Sequence, residues 1–253
     1  MEIREVTDDE VAFYRENGWV QVRGLIDADT VSEMRRVGGE LIDDSGAAST
    51  SEIWGVKPYL VRDGVEPHRS VALEPRMGRN AQRLMARERL TGFPVPVRLI
   101  NDAVVCKAAK HEPTLPHEDF GGATIDRAAS VAVWIALEDA TPDMGTMRFL
   151  SGSYREGPFG HVTLTNILDQ YPRLTAYYEW SPQMSYKAGD ATFHHCCTIH
   201  EAPANTTDRG RWAHIMTYGS ADALHRDNAL DYKRFDDAVC PVIGSPEPAG
   251  AQH

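Results

Sequence analysis

From Val97 onward the chain is written in short β-rich runs, VRLINDAVVCKA, SVAVWIAL, MRFL, ATFHH and WAHIMTY, separated by Gly, Pro, Asp and Asn. Runs of this length, dense in β-branched and aromatic residues and closed off by turn formers, predict strands rather than helices. Many short strands at such spacing imply a sandwich or barrel. The N-terminal part reads differently. Residues 7–17, TDDEVAFYREN, open with Thr and two acids suited to a helix start, offer Val11, Phe13 and Tyr14 as apolar contacts, and stop at Gly18. WVQVRGLI then alternates like a strand, and DADTVSEMRRVGGELID resumes helical spacing. Residues 46–96 carry Pro58, Pro67, Pro75, Pro94 and Pro96. Within them RMGRNAQRLMARERL predicts a helix and the remainder predicts loop.

At 253 residues and 42% hydrophobic, the chain suffices for one large core, so a single domain over 1–253 is expected. A net charge of −11 argues against nucleic acid, whose affinity for protein comes largely from Lys and Arg displacing counterions. The acidic opening MEIREVTDDE lacks the apolar stretch of a signal peptide, and no run approaches the roughly 18 apolar residues of a membrane span. Cys106, Cys196, Cys197 and Cys240 form no disulfide framework, which makes a reducing cytoplasm the expected location. The oligomeric state is left open.

The chemistry concentrates in two segments. In LPHEDF, His117 and Asp119 are two apart, so extended backbone projects both from one face toward a common ion. Iron(II) oxygenases use two His and one carboxylate on one face of the metal, which leaves positions open on the other. The third ligand must then come from elsewhere, and His200, in KAGDATFHHCCTIHEAPANTTDRGRWAH, is the best candidate. No His pair at helical i, i+4 spacing competes with it. His194 does compete, because period-two counting puts His194, Cys196 and His200 on one face. The preferred reading is that His194 or His195 packs beside the site, with Cys196 and Cys197 filling small core spaces. An isolated His-x-Asp also occurs as a surface polar pair, and a single His is commonly a satisfied core residue.

Taken in order, LPHEDF, VAVWIALEDATPDMGTMRFLSGSY and KAGDATFHHCCTIHEAPANTTDRGRW resemble the phytanoyl-CoA dioxygenase family of 2-oxoglutarate oxygenases. The opening TDDEVAFYRENGWVQVRGLIDADTVSEMRR is similar to that family's first helix, strand and helix. The resemblance implies an all-β core with flanking helices, a double-stranded β-helix of the jelly-roll, cupin-like kind. It implies Fe(II) on His117, Asp119 and His200, and 2-oxoglutarate and O2 as cosubstrates. Arg211, eleven residues beyond His200, would hold the cosubstrate's distal carboxylate. A guanidinium suits that task because it binds a carboxylate bidentately, and on charge alone Arg209 would serve as well. Asn101 and Trp134 are implied to line the cosubstrate pocket, with Lys107 as a further basic candidate.

Two departures from the family pattern stand out. Ser151-Gly152-Ser153-Tyr154 replaces the usual Pro-Gly-Ser-His turn, and Ala202 stands where a hydroxyl residue is usual. The retained carboxylate of Asp119 disfavours halogenation. The implied reaction is oxidation of an unactivated C–H bond in a small molecule, by hydroxylation, ring closure or epimerisation. A glycosylated or polyketide bacterial secondary metabolite is the leading substrate class. Two rivals are a cupin-like metal hydrolase or isomerase, and a sugar-binding β-roll. The unmatched segment at about 45–96, with Trp54, Lys57 and Tyr59, is expected to cover the substrate. Tyr171, Tyr177, Tyr178, Trp180 and Tyr186 are read as packing residues or substrate platforms.

Overall fold

The computed structural model describes residues 1–42, 55–85, 96–160, 166–228 and 231–243. Helix α1 (Asp8–Asn17) begins where the sequence offers a cap: the Thr7 hydroxyl accepts the Glu10 N–H while the Glu10 carboxylate accepts the Thr7 N–H. It ends at Gly18, whose φ of 78° is left-handed and costs a glycine little. Val11 and Tyr14 face the core as expected. Phe13 stays partly exposed, edge-on to Trp19 at 5.0 Å. After strand β1 (Trp19–Val22), Asp27 caps helix α2 (Ala28–Leu41) by accepting the Thr30 N–H.

Most of the β-rich runs enter one sheet. It orders β1, β7 (Ala191–His195), β5 (Ser130–Ala136), β9 (Arg211–Ser220), β3 (Val97–Lys107) and β12 (Val242–Ile243), with β2 (Gly55–Pro58) also on β3. A second, three-stranded sheet orders β4 (Thr114–His117), β8 (His200–Ala202) and β6 (Arg148–Phe149). The pairings are antiparallel, and β10 (Leu224–Asn228) with β11 (Asp231–Arg234) forms a separate hairpin. The larger sheet is buried on both faces, which is why SVAVWIAL reads as a continuous apolar run instead of an alternating one. One face packs against α1, α2, α3 (His68–Leu73) and α4 (Pro75–Met85) through residues such as Val133, Met216, Val71 and Met77. The other meets the smaller sheet through Trp134, Ala213, Phe149 and Ala202. Helices on one side and a second sheet on the other make this the double-stranded β-helix.

The segment read as loop plus one helix contains more order than expected. Gly55–Pro58 is poor strand material, yet it pairs with Cys106–Ala103, because β3 outruns β12 and exposes an edge that β2 satisfies. His68–Leu73 adds a helix, and the expected helix after it is described only to Met85. Trp54 lies outside the described residues. Among those residues the four cysteines are free, and no helix is long and apolar enough to cross a membrane.

Gly18 couples this frame to the chemistry, since its carbonyl accepts both the His195 N–H and the Thr198 hydroxyl, each at 2.8 Å. A Cβ there would sit 2.5 Å from Tyr154 Cδ1 and 2.6 Å from Thr198 Oγ1. Gly18→Ala is therefore expected to lower stability by about 2 kcal/mol, through strain and overpacking together. Urea denaturation of the two proteins measures it, and a loss below about 0.5 kcal/mol would show that the turn relaxes freely.

Candidate metal centre and its cavity

Pairing of β4 with β8 sets His117 directly opposite His200, with ring centroids 4.3 Å apart. β4 ends at His117, but Glu118 keeps extended dihedrals (φ −116°, ψ 149°). The two-residue periodicity therefore carries Asp119 to the same side before the chain turns into a short 3-10 segment. Asp119 Oδ1 lies 3.8 Å from His117 Nε2 and 3.7 Å from His200 Nε2. Both Nδ1 atoms face carbonyls, Leu115 O at 2.7 Å and Thr198 O at 3.0 Å. Each Nδ1–H thereby donates to a carbonyl, and each Nε2 is turned toward Asp119. A cation holding such atoms at ~2.0–2.2 Å would draw them to about 3 Å from one another, so Asp119 Oδ1 stands within about 1 Å of the separation needed from each imidazole.

Electrostatics favour the metal-binding protonation states. Burial, and then the neighbouring His117, push His200 down to about 3, which keeps it neutral at physiological pH. Burial alone would raise the Asp119 carboxyl. His200, the His194 hydrogen bond and His117 outweigh it and hold Asp119 well below the usual carboxylate range. His194 takes a different part from the ligand role weighed for it. Its Nε2–H donates to Asp119 Oδ2 at 3.0 Å, which orients Oδ1 toward the two other imidazoles. Sequence periodicity places His194 on the right face, but nothing in it distinguishes an orienting imidazole from a ligand.

Several contacts fix this geometry from behind. Trp19 stacks on Phe149 at 5.1 Å, and Phe149 stacks on the His200 ring at 5.9 Å. The Ser153 hydroxyl, in the turn that departs from the family pattern, accepts the Ile199 N–H at 2.9 Å, just before His200. Glu118 turns away from the cluster, and its Oε1 accepts the N–H groups of Phe159 (2.7 Å) and Gly160 (3.1 Å). Burial raises the Glu118 carboxyl to about 7.

His117, Asp119 and His200 line one cavity of about 870 Å³, which Arg211, Trp134 and Asn101 line too. Arg211 is almost wholly buried, donates from Nη1 to the Gly145 carbonyl, and holds its guanidinium 5.1 Å from the Trp134 ring centre. Burial lowers it to about 10, so it remains cationic at neutral pH. Asn101 is exposed at this cavity on β3, beside a register shift. Lys107 is not among the lining residues: its Nζ donates to the Ala202 and Pro203 carbonyls at 2.9 and 2.6 Å. The same alternation that carries Asn101 to the cavity carries Lys107 past its end.

Arg209 is not on the cavity either, and reaches Glu138 at 4.0 Å. Among the aromatic residues, Tyr186 packs on Trp134 at 4.9 Å and bonds Thr192, Tyr177 is exposed, and none of the set from Tyr171 to Tyr186 lines the cavity. Val56, Tyr59 and Arg62 do form one wall. A wall that sequence reasoning missed comes from the β10–β11 hairpin and the residues after it, including Arg234 and Phe235. The charged, weakly apolar sequence of this hairpin gave no signal that His225, Lys233 and Arg234 would face a cavity.

No curated protein matches the chain. The non-haem α-ketoglutarate-dependent carbocyclase SnoK from nogalamycin biosynthesis superposes with a TM-score of 0.81 at 25% identity, covering 96% of this chain and 100% of its own. The epimerase SnoN, solved with Fe3+, α-ketoglutarate and nogalamycin RO, gives 0.70 at 26% identity over 88% of this chain and 87% of its own. EctD from S. alaskensis, solved with 2-oxoglutarate and 5-hydroxyectoine, shares the fold, with a TM-score of 0.72 at 16% identity over 95% of this chain and 88% of its own. The family model for phytanoyl-CoA dioxygenase (PhyH) matches residues 14–213. The chain therefore belongs to the phytanoyl-CoA dioxygenase family and is an iron- and 2-oxoglutarate-dependent enzyme.

Proposed function

We propose that His117, Asp119 and His200 hold the iron(II), that Arg211 holds the distal carboxylate of 2-oxoglutarate, and that the enzyme oxidises an unactivated C–H bond of a small molecule. The observation that carries this reading is the convergence of two Nε2 atoms on Asp119 Oδ1 in the cavity that also exposes a buried guanidinium. A hydrolase using the same triad has no need of that cation. Bound iron and 2-oxoglutarate supply an oxidation by O2, with succinate and carbon dioxide as co-products. The chain's own part is to present the two imidazole Nε2 atoms, to hold Asp119 through His194, and to desolvate and orient the cosubstrate carboxylate on Arg211. Trp134 packs beneath that guanidinium, and Asn101 offers a polar contact on the same cavity.

Hydroxylation is the default outcome of such chemistry. Ring closure or epimerisation of a bacterial secondary metabolite is supported by the carbocyclase and the epimerase among the similar structures. We read the chain as one domain, cytoplasmic on account of its free thiols. The 45–96 segment divides by role. Val56 and Tyr59 cover the cavity, whereas Met77, Ala81 and Leu84 of α4 belong to the core behind the sheet.

Alanine at His117, Asp119 or His200 is expected to abolish succinate formation in the presence of iron(II) while leaving the thermal unfolding transition cooperative. His194→Ala should weaken iron binding by roughly 10- to 100-fold, as loss of a partner that orients a ligand does. Full activity in any triad variant removes that residue from the site. Arg211→Gln should raise the 2-oxoglutarate requirement by the equivalent of about 2 to 4 kcal/mol, because a buried charge pair is lost. An unchanged KM for 2-oxoglutarate would assign the carboxylate to another cation.

The cover is tested at Tyr59, since Leu60 and Val61 beside it are core residues. Tyr59→Ala should lower the ratio of oxidised substrate to succinate, because part of the substrate's positioning surface is gone while the iron site is intact. A ratio equal to that of the parent protein would show that this wall does not touch substrate.

A further inference from the structure

Exposure along the cavity separates a floor from a mouth. His117, His200, Trp134 and Arg211 are buried, whereas Tyr59, Arg62, Lys233, Arg234 and Val239 are partly or well exposed. The mouth is cationic. Arg62 and Lys57 share Asp63, at 3.0 and 2.9 Å, so that cluster carries more positive charge than negative. In the part of the lining formed by the β10–β11 hairpin and the residues after it, Lys233 and Arg234 stand with Asp236, whose Oδ1 already accepts the Ala238 N–H. Arg234 has no ion pair among the described residues. Among the described residues that line this exposed end, Arg62, Lys233 and Arg234 are cations and Asp236 is the carboxylate, in a protein whose net charge is −11.

Away from the exposed end the lining includes the apolar side chains of Ile100, Ile125 and Phe235. The nearby Asp102 carboxylate does not oppose the cations freely: it is buried and accepts the Val61 N–H at 3.1 Å.

We propose that this mouth is a substrate subsite for a carboxylate-class anion, so that the substrate is a largely apolar small molecule with one such group at the end away from the iron. The inference rests on the oxygenase reading for where the reacting end lies. The physical need is direct. A chain of this net charge repels anions at long range, and only a local cluster of opposite sign beside an apolar wall recovers and orients them. Arg62 and Arg234 come from two separate segments that line the exposed end, so an anion held there also sets the depth at which the apolar body hangs over the iron site. Arg62 lies 4.2 Å over the Tyr59 ring, which holds its guanidinium at the rim.

The test uses two fluorescent probes with one aromatic body, 1-pyrenebutyrate and the uncharged 1-pyrenebutanol. Both are titrated anaerobically into protein loaded with iron(II) and 2-oxoglutarate, so that Arg211 is occupied. The parent protein should bind the carboxylate several-fold more tightly than the alcohol, each exposed ion pair supplying up to about fivefold. That preference should shrink at high salt. It should fall toward unity in an Arg62→Gln/Arg234→Gln double variant and reverse in Arg234→Glu, while alcohol affinity stays at the parent value and reports an intact cavity.

Equal affinity for the two probes in the parent protein overturns the proposal, and so does a preference that survives in the double variant. The binding readout is separate from turnover. A protein that discriminates the probes but forms no succinate would sink the oxygenase reading and leave the anion subsite standing.

Discussion

Everything in the proposed chemistry depends on one register, the antiparallel pairing that sets His117 across from His200. The strands that carry it, Thr114–His117 and His200–Ala202, are too short to be stable as an isolated pair. Their alignment is imposed from outside. Phe149 and Ala202 are sunk into the core between the sheets, Ser153 takes the Ile199 N–H, and Gly18 takes the Thr198 hydroxyl. A slip of one residue would turn the imidazoles away from Asp119, so these clamps determine whether a metal site exists at all. The N-terminal helix, distant in sequence, matters to the site for this reason.

The second constraint is electrostatic. Arg211 sits almost wholly inside the protein, where a guanidinium loses hydration worth several kcal/mol. The shift to about 10 is the visible trace of that cost, which the fold bears without giving up the charge. In the proposed role, an arriving dicarboxylate offsets the cost, so cosubstrate binding would stabilise the folded protein. Functional sites commonly sacrifice stability in this manner.

What could be read in the sequence follows from the range of the rules. His117 and Asp119 were legible because extended backbone repeats every two residues, and α1 because Thr7, Glu10 and Gly18 mark its ends locally. Most of the long β-rich runs became strands of the larger sheet, since burial on both faces leaves an unmistakable apolar signature. β2 was illegible because its stability comes from the free edge of β3 and not from its own residues. The direction of Lys107 and the partner of His194 depend on which strand ends lie side by side, information that no local pattern holds. The β10–β11 wall escaped notice for a related reason: a polar hairpin looks the same whether it faces bulk water or a cavity.

Tyr59 has a backbone φ of 65°, uncommon for a side chain of its size. Its N–H is held by the Asp102 carbonyl at 2.9 Å, and the Val61 N–H by the Asp102 carboxylate. One buried residue thus grips the turn at two points and anchors this wall of the cavity at its base. Such a wall can drift in evolution only by exchanging the side chains it displays. Tyr59 and Arg62, half-exposed and outside the core, are free to change with little penalty to folding, whereas Asp102 is not. The family's chemical diversification would, on this architecture, proceed at the displayed positions while the anchor beneath them stays frozen.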